Sequence, residues 1–258
     1  MATFLFEGIV FGPIKSRRLG VSLGINLLPE GNKLCNFNCI YCECGWNALN
    51  NRESRFHSRA EVKSALEERL VTMKKSRDNL DTITFSGNGE PTMHPEFAGI
   101  IDDTIELRDK YFPQANVSVL SNGTLVHRDA VFNALKKVDR AILKLDSAID
   151  STVKIMDNPQ MDYTVAKAVE RFKAFEGNMV LQTMFLRGDY NGQKVDNTTE
   201  EEVSKWIEVV KQINPKEIMI YTIDRDTPAK DLTKVPVEEL EKIADRAREL
   251  GYTVQVSG

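Results

Sequence analysis

All the cysteines of the chain lie within ten residues of one another, at Cys35, Cys39, Cys42 and Cys44. Disulfide frameworks distribute their cysteines along a chain, and the remaining 248 residues contain none. In the absence of a disulfide framework, clustered thiols indicate a metal site or a redox-active dithiol. Their spacing, C-x₃-C-x₂-C-x-C, sets the geometry that each kind of site must satisfy.

Three kinds of site compete for these thiols. A structural zinc site usually takes two C-x₂₋₄-C pairs with a spacer between them, whereas a single residue separates Cys42 from Cys44. A thioredoxin-like dithiol would use only Cys39 and Cys42 and would leave Cys35 unexplained. An iron–sulfur cubane accepts thiolates at its corners, and one wrapping loop with these spacings can reach three of them. Unless Cys44 closes the fourth iron, that iron stays open to a substrate or cofactor.

The elements that position the thiols are strands and helices in alternation. Short apolar runs of the kind buried on both faces of a parallel sheet occur at 21–28, 82–86, 117–121, 141–146, 179–186, 217–223 and 253–257. A capping box at Ser58 and Glu61 predicts a helix between the first two runs, and Thr199 opens another. Pro236 and Gly251 bracket the last helix. Further helices are predicted near 95–111, 128–137 and 161–175.

This alternation predicts one α/β domain built on parallel strands. An open doubly wound sheet and a closed or partial barrel both fit the pattern. In each of these folds the functional site forms at the carboxyl ends of the strands, where the βα loops gather. The cysteines follow the first strand and therefore belong to such a site.

Composition and charge exclude some classes of protein. Hydrophobic residues make up 41% and charged residues 28%, as in ordinary globular domains. The apolar start carries Glu7 and lacks a basic segment, and no apolar run approaches the roughly 18 residues of a membrane helix, so we expect a cytoplasmic protein without a membrane partner. The net charge of −4 gives no overall footprint for nucleic acid. Residues 1–60 nevertheless hold seven basic and four acidic side chains, a mildly basic region around the cysteines.

The segment from Cys35 to Cys42, with Tyr41 before the third cysteine, resembles the signature of the radical S-adenosylmethionine (SAM) superfamily. SGNGEPTMHPEF (86–97) resembles the Gly-Gly-Glu motif of that family, with Asn88 placed between the glycines. VLSNGT (119–124) and LKLDS (143–147) lie where members hold polar contacts to SAM. From GPIKSRRLGVSLGINLLP to YTIDRDTPAK, the chain is most similar to the branch that includes wyosine-synthesis-like proteins.

The resemblance implies a partial (β/α)6 barrel of parallel strands with outer helices. It implies a single domain over 1–258, with an N-terminal extension at 1–18 and a barrel core from about residue 19 onward. Cys35, Cys39 and Cys42 would hold a [4Fe–4S] cluster, and Cys44 would be a spare thiol beside it. A one-electron donor such as flavodoxin or ferredoxin would reduce the cluster. Reductive cleavage of SAM would then give a 5′-deoxyadenosyl radical.

The resemblance also assigns residues to SAM. They are Tyr41, Gly87, Asn88, Gly89, Glu90, Ser121, Asn122, Lys144, Asp146 and Gln182. Gly87 and Gly89 allow a close approach of the backbone to the ligand, although they equally suit a tight strand-to-helix turn. Glu90 is an acceptor for the ammonium group of SAM. Gln182 lies inside an apolar strand and needs a polar partner, either the ligand or the backbone.

The remaining assignments concern the carboxylate, ribose and adenine of SAM. Lys144 is the candidate partner of the carboxylate, although Lys144 and Asp146 alternate along a strand and can instead pair with each other. Ser121, Asn122 and Asp146 suit the ribose hydroxyls, although the segment around Asn122 also has the composition of a turn. Tyr41 would pack at the adenine end.

Two enzyme functions and one non-enzymatic function remain open. The preferred function is a radical SAM enzyme that acts directly on a small-molecule or nucleoside substrate, with the basic patch of Lys15, Arg17 and Arg18 available for a phosphate or carboxylate. The alternative is an activating enzyme that generates a glycyl radical on a partner protein, because the chain has no cysteines left for a second cluster. A non-enzymatic iron–sulfur or zinc protein is the third.

Overall fold

Strands and helices alternate along the chain in the computed structural model, which describes residues 4–47 and 55–258. The strands are β1 (Val10–Ser16), β2 (Gly20–Ile25), β3 (Thr82–Phe85), β4 (Asn116–Ser121), β5 (Arg140–Lys144), β6 (Val180–Met184), β7 (Leu186–Tyr190), β8 (Gln193–Asp196), β9 (Glu217–Tyr221), β10 (Leu232–Lys234) and β11 (Val254–Ser257). The helices are α1 (Arg59–Ser76), α2 (Phe97–Tyr111), α3 (Asp129–Lys137), α4 (Asp150–Met156), α5 (Val165–Lys173), α6 (Glu200–Ile213) and α7 (Val237–Arg248). A short 3₁₀ helix covers Pro91–Met93.

Eight of these strands form one sheet in the order β1-β2-β3-β4-β5-β6-β9-β11. Strand β1 runs antiparallel to β2, and all the other neighbouring pairs are parallel. The seven parallel strands match the seven predicted apolar runs one to one. The sheet curls into a half-barrel, which confirms the predicted partial (β/α)6 barrel.

The two faces of the sheet carry different side chains. Outward-facing residues of the parallel strands, such as Phe85 and Val119, pack in the main hydrophobic core with helix residues such as Leu66. The inner face lines the lumen of the half-barrel. It carries a small separate apolar cluster, which we call the lumen floor. Its members are Leu19, Leu120, Ile142, Val180 and Met219. The lumen above this floor opens toward the carboxyl ends of the strands, where the predicted site residues lie.

Local sequence signals predicted the starts of α1 and α6 correctly. Ser58 and Glu61 form the predicted capping box of α1, and Thr199 caps α6. Gly251 follows α7 with a φ of +92°, as the left-handed position requires. Pro236 is the N-cap of α7 rather than a residue of its first turn.

The structure also contains elements that the sequence did not indicate. Strand β1 lies within the predicted N-terminal extension and forms one edge of the main sheet. The predicted strand 179–186 is interrupted at Phe185, because the amide of Leu186 donates to the side chain of Asn197 at 2.9 Å and β7 joins β8 and β10 in a second sheet. Helix α4 was not predicted. Arg52 and Glu53 of the mildly basic region lie outside the described residues. In the part of the chain that is described, no helix combines the length and apolar character needed to cross a bilayer.

Candidate functional site

The cysteine loop, residues 33–47, follows β2 and is held on one side by the segment after β3. We call that segment, residues 86–91, the glycine loop. The amide of Leu34 donates to the carbonyl of Asn88 at 2.8 Å, and the amide of Glu90 donates to the carbonyl of Leu34 at 3.1 Å. These two hydrogen bonds fix the start of the cysteine loop against the end of β3.

The glycines of the glycine loop are required for this contact. Gly89 has a φ of +137°, and a Cβ at this position would overlap the carbonyl of Leu34. Gly87 has a φ of +138° and lies against the side chain of Asn26. Such backbone conformations are accessible to glycine without strain. In this structure, the close approach that the glycines permit is to the cysteine loop of the same chain.

The side chain of Asn88 anchors the segment before β1. Its Oδ1 accepts from the amide of Phe6 at 2.8 Å, and its Nδ2 donates to the carbonyls of Phe6 and Pro29, both at 3.0 Å. Asn88 is fully buried. It is therefore the backbone carbonyl of Asn88, and not its amide side chain, that contacts the cysteine loop.

A second clamp holds the cysteine loop from the side of α4. The amide of Ile40 donates to the carbonyl of Met156 at 2.9 Å, and the amide of Gln160 donates to the carbonyl of Asn36 at 2.9 Å. No sequence pattern predicted this contact, since α4 is a helix of only seven residues. The loop is thus held between the connection from β3 to α2 and the C-terminal end of α4, which are far apart in the sequence.

Hydrogen bonds inside the cysteine loop set its shape. The side chain of Asn47 donates to the carbonyls of Cys35 and Phe37 at 2.8 and 3.1 Å, and its backbone amide donates to the Oδ1 of Asn38 at 2.8 Å. The thiol of Cys44 donates to the carbonyl of Gly87 at 3.2 Å. Cys44 therefore contacts the glycine loop, whereas Cys39 is buried and Cys35 and Cys42 are half-buried.

The thiols have different acidities. A hydrogen bond with Cys44 lowers the pKa of Cys42 to about 6. Burial raises the pKa of Cys35 to about 12 and also raises the pKa of Cys39. Within the described residues, no three Cys, His, Asp or Glu side chains are grouped as ligands of a single metal ion.

Lys33 is a buried cation inside the cysteine loop that sequence reasoning missed. Its side chain is among the largest fully buried ones, with only 2% of the residue exposed, and its Nζ donates to the carbonyl of Gly45 at 2.9 Å. Burial alone would lower the pKa of Lys33, but its interactions with Cys42, Cys39 and Cys35 raise it. One ammonium group therefore lies in the electrostatic field of all three motif cysteines.

Lys144 and Asp146 lie next to the cysteine loop and pair with each other. The ammonium of Lys144 bonds to the carboxylates of Asp146 and Asp157, and the hydroxyl of Tyr41 donates to Asp146. The Nζ of Lys144 lies 5.0 Å from the centroid of the Tyr41 ring. The ion pair anticipated as an alternative for Lys144 and Asp146 is thus present, and Tyr41 is its hydrogen-bonding neighbour.

Asp157 is the second residue that the sequence did not indicate. It lies at the C-cap of α4 and is 2% exposed. Burial raises its pKa to about 7, although Lys144 acts in the opposite direction. Burial also opposes the charge on Lys144, but Asp146 and Asp157 raise the pKa of this lysine well above its usual value. Lys144, Asp146 and Asp157 therefore stabilise one another's charges by ion pairing.

Glu90 links the glycine loop to the end of β4. Its carboxylate accepts from the hydroxyl of Ser121 and the amide of Asn122, both at 2.8 Å, and from the amide of Thr92 at 3.1 Å. Burial raises the pKa of Glu90. The side chain of Asn122 in turn donates to Asn36 at 2.6 Å and approaches the sulfur of Cys35 at 3.8 Å. Ser121 and Asn122 are therefore tied to the cysteine loop through Glu90 and Asn36.

Gln182 lies in register with Lys144 on the inner face of the sheet, one strand away. Its backbone carbonyl accepts from the amide of Leu145 at 2.9 Å, and the residue is 7% exposed. The structure thus links Glu90, Ser121, Asn122, Lys144 and Asp146 to the cysteine loop, while Gln182 is placed only by its strand register. The side chain of Asn88 turns to the segment before β1.

Comparison with known proteins identifies relatives over most of the chain. The family model described as "Radical SAM superfamily" matches residues 32–201. A UPF0026 protein of Methanocaldococcus jannaschii is 30% identical over 240 residues, which cover 91% of this chain and 70% of that protein. A protein of Brachyspira hyodysenteriae named "GTPase Obg" is 33% identical over 239 residues, or 90% of this chain, but the chain spans only 32% of that protein.

Solved structures share the fold at low sequence identity. A radical SAM methyltransferase from Sphaerobacter thermophilus superposes with a TM-score of 0.66 at 12% identity, covering 92% of this chain and 66% of that one. SuiB of Streptococcus suis, in a structure bound to S-adenosylmethionine, gives a TM-score of 0.62 at 14% identity, covering 88% of this chain and 49% of that one.

Proposed function

The chain belongs to the radical SAM superfamily, and on this premise we propose that it is an enzyme that cleaves SAM reductively and removes hydrogen from a small-molecule or nucleoside substrate. The family implies SAM and an iron–sulfur cluster as cofactors. The proposal places the cluster on Cys35, Cys39 and Cys42. The observation that carries it is the position of these three thiols on one doubly clamped loop at the carboxyl edge of the half-barrel.

The residues of the loop fit an anionic cluster. Thiolate ligands bring negative charge into a buried site, and such charge is stable only when it is paired. Lys33 supplies a buried ammonium group that acts on Cys35, Cys39 and Cys42 together. Cys44 already donates to Gly87. This arrangement supports three protein ligands, with one corner left for SAM.

The side chains around the loop would bind and orient SAM. A bound, reduced cluster would supply the one electron that cleaves a carbon–sulfur bond of SAM, which would yield methionine and the 5′-deoxyadenosyl radical. We assign the methionine carboxylate to Lys144, whose ammonium would exchange one of its two carboxylate partners for the ligand. Asn122 is suited to the ribose hydroxyls because it already lies against Cys35.

Glu90 and the two glycines then act by positioning. Glu90 accepts hydrogen bonds from Ser121, Thr92 and Asn122, so it holds the ends of β3 and β4 at a fixed distance.

We further propose that the whole chain is one domain and that β1 is part of it. The electron donor would be a flavodoxin or ferredoxin in the cytoplasm.

Anaerobic reconstitution with iron and sulfide tests the proposal. Wild-type protein with SAM and dithionite should form 5′-deoxyadenosine. Cys35→Ala, Cys39→Ala and Cys42→Ala should each lose both bound iron and the nucleoside. Cys44→Ala is the matched control, since it removes a thiol from the same loop, and it should retain most of its iron. Wild-type protein with a full complement of iron and sulfide but no 5′-deoxyadenosine would refute the proposal.

The alternative, an activating enzyme for a glycyl radical protein, is favoured by the confinement of all four cysteines to one loop. It predicts the same cleavage of SAM. It differs in predicting a glycyl radical signal in the EPR spectrum when the reduced enzyme and SAM are mixed with the partner protein. Hydrogen transfer to a small molecule or nucleoside without that signal supports the preferred function.

A further inference from the structure

The turn between β1 and β2 carries Arg18 to the inner face of the sheet. The next residue, Leu19, packs in the lumen floor. The carbonyl of Arg18 accepts from the side chain of Gln255 on β11 at 3.3 Å. Since β2 and β11 lie near opposite edges of the open sheet, this turn spans the gap between them.

The guanidinium of Arg18 lies against the ring of Tyr221, with its Cζ 4.5 Å from the ring centroid. Tyr221 ends β9 and is in register with Met184 of β6. The ring also packs against the apolar cluster that contains Cys39 and Tyr41. Arg18 therefore faces the lumen beside the proposed SAM site.

One donor of this guanidinium is buried without an acceptor. The Nη1 of Arg18 is shielded from solvent and makes no hydrogen bond within the described residues. Arginine keeps its charge at every pH at which proteins fold, so the group cannot avoid the cost of burial by losing a proton. Stacking on the ring of Tyr221 stabilises part of the positive charge of Arg18, but it leaves the Nη1 donor without a hydrogen-bond acceptor among the described residues. Buried donors in proteins nearly always have a partner, so this one needs an explanation.

The acidic side chains that follow β9 and β5, Asp224 and Asp146, are already engaged. Asp224 forms an ion pair with Arg17 at 3.2 Å and lies 3.9 Å from Lys234. Asp146 is bonded to Lys144. Arg17 differs from Arg18 in that its guanidinium also donates to the carbonyl of Gly258 at 2.8 Å. The two adjacent arginines thus have opposite environments. Pairing at the surface engages Arg17 and separates it from the anion-binding patch expected from the sequence, whereas the Nη1 of Arg18 faces the lumen without an acceptor among the described residues.

We propose that Arg18, stacked on Tyr221, forms a subsite for a carboxylate or phosphate group of the substrate. The planar guanidinium suits both groups, because each can accept two parallel hydrogen bonds from it. This inference rests on the proposed function and narrows it: the substrate is an acidic metabolite or a nucleotide rather than a neutral nucleoside. A carboxylate at this position has a second possible source, the methionine part of SAM, and the experiment separates the two sources.

The test is a calorimetric titration of the anaerobically reconstituted enzyme with inorganic phosphate and, separately, with acetate, at constant ionic strength maintained with chloride. Wild-type enzyme should bind one phosphate or acetate saturably, with a dissociation constant in the millimolar range. Arg18→Gln should weaken phosphate binding at least tenfold. Arg17→Gln, the matched control, should stay within twofold of wild type. Arg18→Lys keeps the charge and should bind with intermediate affinity, and thermal melting verifies that each variant is folded.

Two results would overturn the subsite. One is the absence of saturable binding in the wild type, and the other is an equal loss in Arg17→Gln and Arg18→Gln. Titration with SAM identifies the source of the anion: Arg18→Gln should bind SAM within twofold of wild type, and phosphate should still bind in the presence of SAM. A tenfold loss of SAM affinity would assign Arg18 to the cofactor and refute a substrate subsite. None of these titrations requires cleavage of SAM, so a wild-type enzyme that forms no 5′-deoxyadenosine would refute the proposed function alone.

Discussion

Replacing Lys33 by methionine removes a buried positive charge from the cysteine loop and keeps much of the side-chain volume. The Lys33 ammonium interacts with Cys42, Cys39 and Cys35 and is held in place by the carbonyl of Gly45. A nearby cation favours the reduced, more negative state of an iron–sulfur cluster, since net charge and hydrogen bonds to sulfur set the reduction potential. We therefore expect Lys33→Met to lower the midpoint potential of the bound cluster.

The size of the shift follows from Coulomb's law. At an effective dielectric constant of about 20 and a separation of roughly 5 Å, the added electron and the ammonium attract each other by about 3 kcal/mol. A one-electron potential changes by about 59 mV for each tenfold change in the equilibrium constant, so this energy corresponds to about 130 mV. Screening by the neighbouring charges lowers this figure, and we expect a shift of about 100 mV.

The assay is a redox titration monitored by EPR, with bound iron and sulfide measured in each sample. Lys33→Arg is the control, because it keeps the charge in the loop, and its potential should stay within about 30 mV of wild type. A fully loaded Lys33→Met cluster whose potential equals that of wild type, or exceeds it, would refute the assigned role of Lys33.

Two further predictions concern the stability of the fold around the site. Gly89→Ala places a methyl group against the carbonyl of Leu34 and should lower the free energy of unfolding by about 3 kcal/mol. Gly192 has a φ of +76° and no atom within 4 Å of the position that a Cβ would take, so Gly192→Ala should lower it by only about 1 kcal/mol. Urea denaturation measures both, and equal costs would contradict the contact. Burial lowers the pKa of His94 below its usual 6.5, so the folded state binds the proton less readily than the unfolded state, and stability falls as the pH drops through this range. Between pH 7.5 and 5.5, His94→Gln should lose less stability than wild type, and parallel curves of unfolding free energy against pH would contradict this role of His94.

The sequence predicted the features that depend on local patterns. The capping box at Ser58 and Glu61 specifies the start of α1 through contacts three residues apart. The seven apolar runs located the parallel strands because continuous hydrophobicity reflects burial on both faces. The three cysteines and Tyr41 lie on one loop because their spacing is itself local.

The features that the sequence did not reveal depend on contacts between distant segments. Lys33 lies outside any helix or strand, so no periodicity marks it as buried among the thiols. Asp157 meets Lys144 only because the end of α4 packs against the cysteine loop. Asn88 was assigned to the ligand from its place between two glycines, while the structure bonds its side chain to Phe6.

Mössbauer spectroscopy of the ⁵⁷Fe-reconstituted wild-type enzyme, with and without SAM, tests the central claim most directly. The claim is that Cys35, Cys39 and Cys42 hold a cubane whose remaining iron binds SAM. Addition of SAM should change the isomer shift of one iron site and leave the other sites unchanged. A spectrum in which SAM changes no iron site, or protein that binds zinc without sulfide, would contradict it.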